Sequence, residues 1–141
     1  LSSMALCAGV SLLRDARCTI NHNGSKLHVA GIDWAKSKKK CSYKVERVCH
    51  NETHLLLSHN PKAFQAAARL RVPLTLSGHT HGGQLAMRDK PNANLAVAHR
   101  RSSGLYDIEQ SRLFVTVGVG AWFPMRINCP AEVAILTIRS A

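Results

Sequence analysis

Apolar positions in this chain fall in short, strand-sized clusters, interrupted once by an alanine-rich stretch of helical character. Residues 17–20 and 27–32 flank Asn21, His22, Asn23 and Gly24, and an Asn-Gly step between β-prone runs predicts a hairpin. Before it, residues 1–8 read as the end of an amphipathic helix stopped at Gly9, followed by a strand over 10–13. Residues 33–51 turn polar and lysine-rich and are expected to form an exposed connection, with at most a helical turn or two over 43–48. An apolar strand over 54–58 then runs into His59, Asn60 and Pro61. Pro61 suits the first position of a helix, where its fixed φ fits and its missing N–H is not needed, and good helix formers continue to Leu70. Residues 74–76 make a buried strand before Gly78, 82–103 are loop-rich, and 105–108, 112–117, 125–129 and 133–138 read as further strands. Strand, turn, helix, strand is the order of an α/β layered unit, in which functional groups sit on loops beyond strand ends.

Length and composition narrow this to one domain: 141 residues, 45% hydrophobic and 19% charged, are globular rather than disordered. A chain of this size buries roughly 70% of the surface its unfolded form exposes, so no metal or disulfide is required merely to fold it. No apolar run is long enough for a membrane-spanning helix. The chain opens at Leu1, without an initiator Met or the order of a secretory signal, and is expected to be a fragment or a processed piece. The 5 cysteines form no CxxC pair and read as buried or incidental thiols in a reducing compartment.

Charge changes the picture more. With 19 Lys and Arg against 8 Asp and Glu, the formal net charge is +11, and anionic partners are the first expectation. The dense basic run, Lys36, Lys38, Lys39 and Lys40, lies in the presumed loop and has no helix-turn-helix or aromatic RNA-binding pattern beside it. No specific nucleic-acid partner is therefore expected. An acidic part missing from the molecule would also explain the excess.

Of 8 histidines, His22, His28, His50, His54 and His99 read as surface, turn or strand residues. His59 follows a strand in LLLSHNP, and His79 and His81 follow another in LTLSGHTHGGQ, so all three are expected to project from neighbouring strand ends. On a helix, His79 and His81 would point about 200° apart, whereas in a loop both rings can converge. Gly78, Gly82 and Gly83 permit the backbone angles of a loop wrapped around a metal or phosphate. Imidazole suits zinc, manganese, iron or nickel. A dinuclear hydrolytic site usually adds an anionic bridge, which the isolated Asp15, Asp33, Asp89 and Asp107 do not supply, and a mononuclear zinc site stays open.

LLLSHNPKAF followed by LTLSGHTHGGQ resembles the last two motifs of the calcineurin-like metallophosphoesterases, more particularly their YkuE- and YaeI-like phosphodiesterase branch. The tail LFVTVGVGAWFPMRINCPAEVAILTI and the opening AGVSLLRDARCTI with KLHVAGIDW fit the same branch, although its closing proline pair is here Pro130 and Ala131. The resemblance implies an α/β fold, the C-terminal part of a metallophosphoesterase-type β-sandwich with flanking helices. It also implies two divalent metal ions (Mn, Fe, Zn or Ni) and hydrolysis of phosphate mono- or diesters through a metal-bridging hydroxide. Carried over by motif, His59 and His79 bind one metal and His81 the other. Asn60 would orient His59, Gln84 with Gly82 and Gly83 would line the substrate mouth, and Arg126 would meet a phosphate or make a structural salt bridge. The D-x-H, G-D-x-x-D and G-N-H motifs of the family are absent and are expected upstream of Leu1. The chain thus reads as the C-terminal part of a phosphoesterase, inactive alone, whose partners are a phosphate-ester substrate and the missing N-terminal half. That half would also carry any membrane association, so the expected location is cytoplasmic or membrane-associated. The alternative from another class is a non-catalytic basic module binding anionic partners such as nucleic acid.

Overall fold

The computed structural model describes residues 7–88 and 90–139. The helix expected over 1–8 lies almost wholly outside them. The predicted hairpin is present as β1 (Ala16–His22) and β2 (Ser25–Ile32), paired antiparallel from Ala16 opposite Gly31 to His22 opposite Ser25. Asn23 and Gly24 form its two-residue turn at φ 48° and 78°, both in the left-handed region that suits the twist of a hairpin.

Three parallel strands follow β2 into the sheet: β3 (Leu55–Ser58), β4 (Leu74–Ser77) and, later in the chain, β8 (Ser111–Val115). Between β4 and β8 come a small antiparallel ribbon, β5 (Ala86–Met87) with β6 (Lys90–Asn94), and the edge strand β7 (Gly104–Ile108). The six-stranded sheet has the order β1-β2-β3-β4-β8-β7, so the architecture is the expected mixed α/β type.

The lysine-rich connection is corrected by α1 (Lys38–Val48), an 11-residue helix capped by Ser37, whose side chain accepts the Lys40 N–H. Its buried residues are Cys41, Val45 and Val48, an i, i+4, i+7 stripe facing the sheet while the lysines face outward. The charge run masked that stripe. The expected helix after Pro61 is a 3-10 turn, Pro61–Ala63, leading into α2 (Phe64–Arg69), whose Phe64, Ala66, Ala67 and Ala68 are buried.

Register explains where the core sits. Ala30, Leu56, Thr75 and Leu113 stand side by side across β2, β3, β4 and β8, and all are buried on the face that carries α1 and α2. The next row, Gly31, Leu57, Leu76 and Phe114, points to the opposite face, where Leu57 remains 39% exposed. Leu13 lies over Gly31 there, so closely that a Cβ on Gly31 would stand 2.8 Å from the Leu13 carbonyl oxygen.

Three expected strands do not form. Residues 10–13 are irregular, and 125–129 contribute only an isolated bridge between Leu85 and Ile127. Residues 133–138 have no regular structure, with Val133 81% and Ile135 93% exposed. Among the described residues no strand pairs with them, and alternation without a ladder partner does not make a strand. The cysteines form no disulfide among the described residues. Cys41, Cys49 and Cys129 are buried, and burial pushes the Cys49 thiol up to about 11.

Candidate metal centre

His59 is the residue after β3, and His79 lies two residues beyond β4, so the parallel pairing of these strands delivers both to one sheet edge. The two loops are tied together where the Gly78 N–H donates to the His59 carbonyl at 3.2 Å. His59 Nε2 and His79 Nδ1 are 3.1 Å apart, with ring centroids 4.9 Å apart and planes at 64°.

The second loop is strained in a way that serves this aim. His79, His81, Gly82, Gly83 and Gln84 have φ of 73°, 49°, 60°, 71° and 57°, leaving Thr80 between them in the right-handed region. Three of these are not glycine, and such angles persist only where surrounding contacts over-determine them. The contacts are identifiable. Thr80, fully buried, donates its hydroxyl to the Ser102 carbonyl and accepts from the Gly82 N–H. A Cβ on Gly82 would stand 2.3 Å from Cys129 Sγ, and one on Gly83 2.4 Å from Asn94 Oδ1, so both positions are occupied from beneath.

Gln84 therefore supports the loop from within, its side chain turned away from any open mouth. Gln84 is fully buried, donates to the carbonyls of Phe123 and Met125 at 2.7 and 2.8 Å, and accepts from the Trp122 N–H. Among the described residues Arg126 makes no ion pair, and its guanidinium donates to the carbonyls of His81, Val117, Gly118, Gly120 and Cys129. Asn60 acts on the backbone, accepting from Lys62 N–H at 3.0 Å and donating to the Ala35 carbonyl at 3.4 Å, and makes no hydrogen bond to the His59 ring.

His81 packs edge-on against Trp122 at 5.4 Å and lies close enough for its charge to act on both His59 and His79. One ring that sequence reasoning set aside also belongs here. His99 stands 5.2 Å from His79, and its buried Nδ1 has no hydrogen-bond partner. No local pattern marked it, since it arrives from a loop twenty residues on.

The two ring nitrogens share a hydrogen bond at 3.1 Å, a spacing close to the roughly 3.3 Å between two nitrogens on one ion when each bond is about 2.0 Å and the angle tetrahedral. The pair thus fits one side of a metal site. It is not a complete cage: among the described residues no group of three His, Cys, Asp or Glu is placed to hold an ion. Of the described aspartates, Asp15 pairs with Lys44, Asp33 with Arg14 and Asp107 with Arg112. Burial, followed by neighbouring positive charge, lowers the pKa of His59, His79 and His99. Neutral imidazole, the ligating form, is favoured accordingly.

No family model matches the chain, and no solved structure is significantly similar to it. Among curated proteins it is 34% identical over 89 residues to the phosphodiesterase YaeI of Escherichia coli, covering 62% of this chain and 33% of that one. It is 32% identical over 142 residues to an uncharacterized metallophosphoesterase of Aquifex aeolicus, covering 94% of this chain and 52% of the other. A transmembrane protein with a metallophosphoesterase domain from Danio rerio is 37% identical over 92 residues, 62% of this chain and 20% of its own. The chain spans from a fifth to about half of the length of these relatives. Similarity along nearly its full length, joined to the histidines gathered at the strand ends, makes the chain a member of the calcineurin-like metallophosphoesterase family.

Proposed function

We propose that the chain carries one side of a divalent-metal phosphoesterase centre, in which His59 and His79 hold one cation and His81 a second. The observation behind this reading is the His59–His79 pair at the ends of adjacent parallel strands. The family implies divalent cations, which when bound supply Lewis acidity toward a phosphoryl oxygen and a water acidic enough to react near neutral pH. This chain's part is to hold neutral imidazoles in place beside a strained loop that the buried Thr80 and Gln84 and the half-buried Arg126 keep from relaxing. The two cations would be drawn from Mn, Fe, Zn and Ni, and the substrate is a phosphate mono- or diester.

The bridging carboxylate and the remaining ligands would come from outside this chain, which spans only a fifth to about half of its relatives' length. The name of the Danio rerio relative supports membrane association through a part outside this chain. No helix among the described residues is long and apolar enough to cross a membrane.

The test is titration of the chain with Zn2+ and Mn2+, followed by a bis-aryl phosphodiester assay. Weak uptake that His79→Ala or His81→Ala abolishes, with turnover at background, is expected. Uptake indifferent to both substitutions would overturn the ligand assignment, and turnover by the chain alone would overturn its incompleteness.

A further inference from the structure

Beside the histidine pair lies a cavity of about 400 Å3 that the proposed centre does not use. Its lining includes Lys38 from the first turn of α1, Lys62 from the 3-10 turn after His59, and His99, Arg100 and Arg101 from the loop beyond the small ribbon. No carboxylate lines it, and among the described residues none of Lys38, Lys62, Arg100 and Arg101 takes part in an ion pair. Like charges gathered around one concavity repel one another and focus a positive potential into it, an arrangement that an anion relieves.

The wall is built, not incidental. The loop that brings His99, Arg100 and Arg101 is bonded to the histidine loop through Thr80 and the Ser102 carbonyl. Within it, His99 N–H donates to the Ala96 carbonyl at 2.8 Å, and Ala96 N–H donates to Asn94 Oδ1 at 2.8 Å. The Arg101 guanidinium lies over the Phe64 ring, 5.3 Å from its centroid. His99 is common to both places, since it lines the cavity and its ring stands 5.2 Å from His79. The cavity thus adjoins the histidine pair through His99.

We propose that this cavity binds a second phosphoryl group of the substrate, so that the ester hydrolysed here is a small bisphosphorylated or pyrophosphorylated molecule. This rests on the reading of His59, His79 and His81 as the seat of the scissile phosphate. Arginine pairs bidentately with phosphate oxygens while lysine supplies point charge, so Arg100 gives geometry and Lys38 and Lys62 give field. A concavity of this volume suits a small ligand, whereas an extended nucleic acid would ask for a stripe of basic residues with aromatic platforms.

The experiment titrates the full chain, with chelator in excess, against inorganic pyrophosphate, orthophosphate and a short single-stranded oligonucleotide at near-physiological salt. Pyrophosphate is expected to bind about tenfold or more tighter than orthophosphate, and Arg100→Ala and Lys38→Ala, both at exposed positions, to weaken it about three- to tenfold each. Lys26→Ala on the β1–β2 hairpin should leave it unchanged. Equal affinity for the two inorganic anions, indifference to Arg100 and Lys38, or tighter binding of the oligonucleotide would each overturn the inference. Failure of the underlying reading looks different: metal uptake then ignores His81→Ala while chelator-insensitive pyrophosphate binding stands.

Discussion

Nε2 of His59 and Nδ1 of His79 face each other across 3.1 Å, although twenty residues separate them in the chain. On the proposed assignment, removing either ring leaves that cation with one of its two histidines. His59→Ala and His79→Ala are each expected to lower Zn2+ or Co2+ affinity by about tenfold or more, with far-ultraviolet circular dichroism unchanged. Equal metal binding by wild type and both variants would exclude this pair as ligands.

Acidity should destabilise the metal-free chain. The pKa values of His59, His79 and His99 are lowered, so the unfolded state binds more protons as pH falls. Their contribution is fully present above the unfolded imidazole value of about 6.5 and is lost as pH falls through the lower folded values. Urea melts with chelator from neutral pH downward should show falling stability, and a variant with all three rings replaced by Asn should flatten that dependence. A wild-type curve flat across this range contradicts the lowered values.

Gly82 combines a φ of 60° with the absence of room for a Cβ, which would meet Cys129 Sγ at 2.3 Å and Val117 Cγ1 at 2.6 Å. Gly82→Ala is expected to cost about 1–3 kcal/mol and to weaken metal uptake together with stability. Adding Cys129→Ala should restore part of the packing loss and none of the φ strain. Thermal melts of the single and double variants measure both, and a neutral single substitution would refute the close approach.

Arg126 serves as a hub for backbone carbonyls. Arg126→Met leaves the Val117, Gly118 and Gly120 oxygens without their charged donor and should destabilise by roughly 1.5–3 kcal/mol. Hydrogen exchange is expected to quicken over 118–125 first. If the variant instead keeps its stability and loses only anion binding, Arg126 is a ligand contact after all.

Leu56 and Leu57 are neighbours on β3 facing opposite sides of the sheet, the first fully buried and the second 39% exposed. Leu56→Ala should cost about 2–5 kcal/mol and Leu57→Ala much less, read as denaturation midpoints in urea. Equal costs would mean that the open face is buried in solution, by a second copy or by another chain.

Short-range signals carried the hairpin, the strand before His59, the Pro61 helix start and the Gly-flanked histidine loop, because each rests on residues adjacent in sequence: Asn23-Gly24, Asn60-Pro61, Gly82-Gly83. The same local reading missed α1, whose Cys41, Val45 and Val48 stripe is visible only when the lysines between them are set aside. It also assigned strands to 125–129, which makes only an isolated bridge through Ile127, and to 133–138, which pairs with no strand among the described residues.

By itself, the order of amino acids determined that this is an α/β chain with imidazoles clustered just past two strand ends. Which polar groups face outward was settled only in three dimensions. Gln84 and Arg126, polar enough to pass for substrate contacts, are consumed by backbone carbonyls from distant loops. His99, unremarkable in sequence, stands beside His79 on a loop that a bond between Thr80 and Ser102 ties to the histidine loop. The physical reason is that a side chain's role depends on which hydrogen-bond partners and charges the fold leaves within a few ångströms of it, and those neighbours come from parts of the chain far from its own.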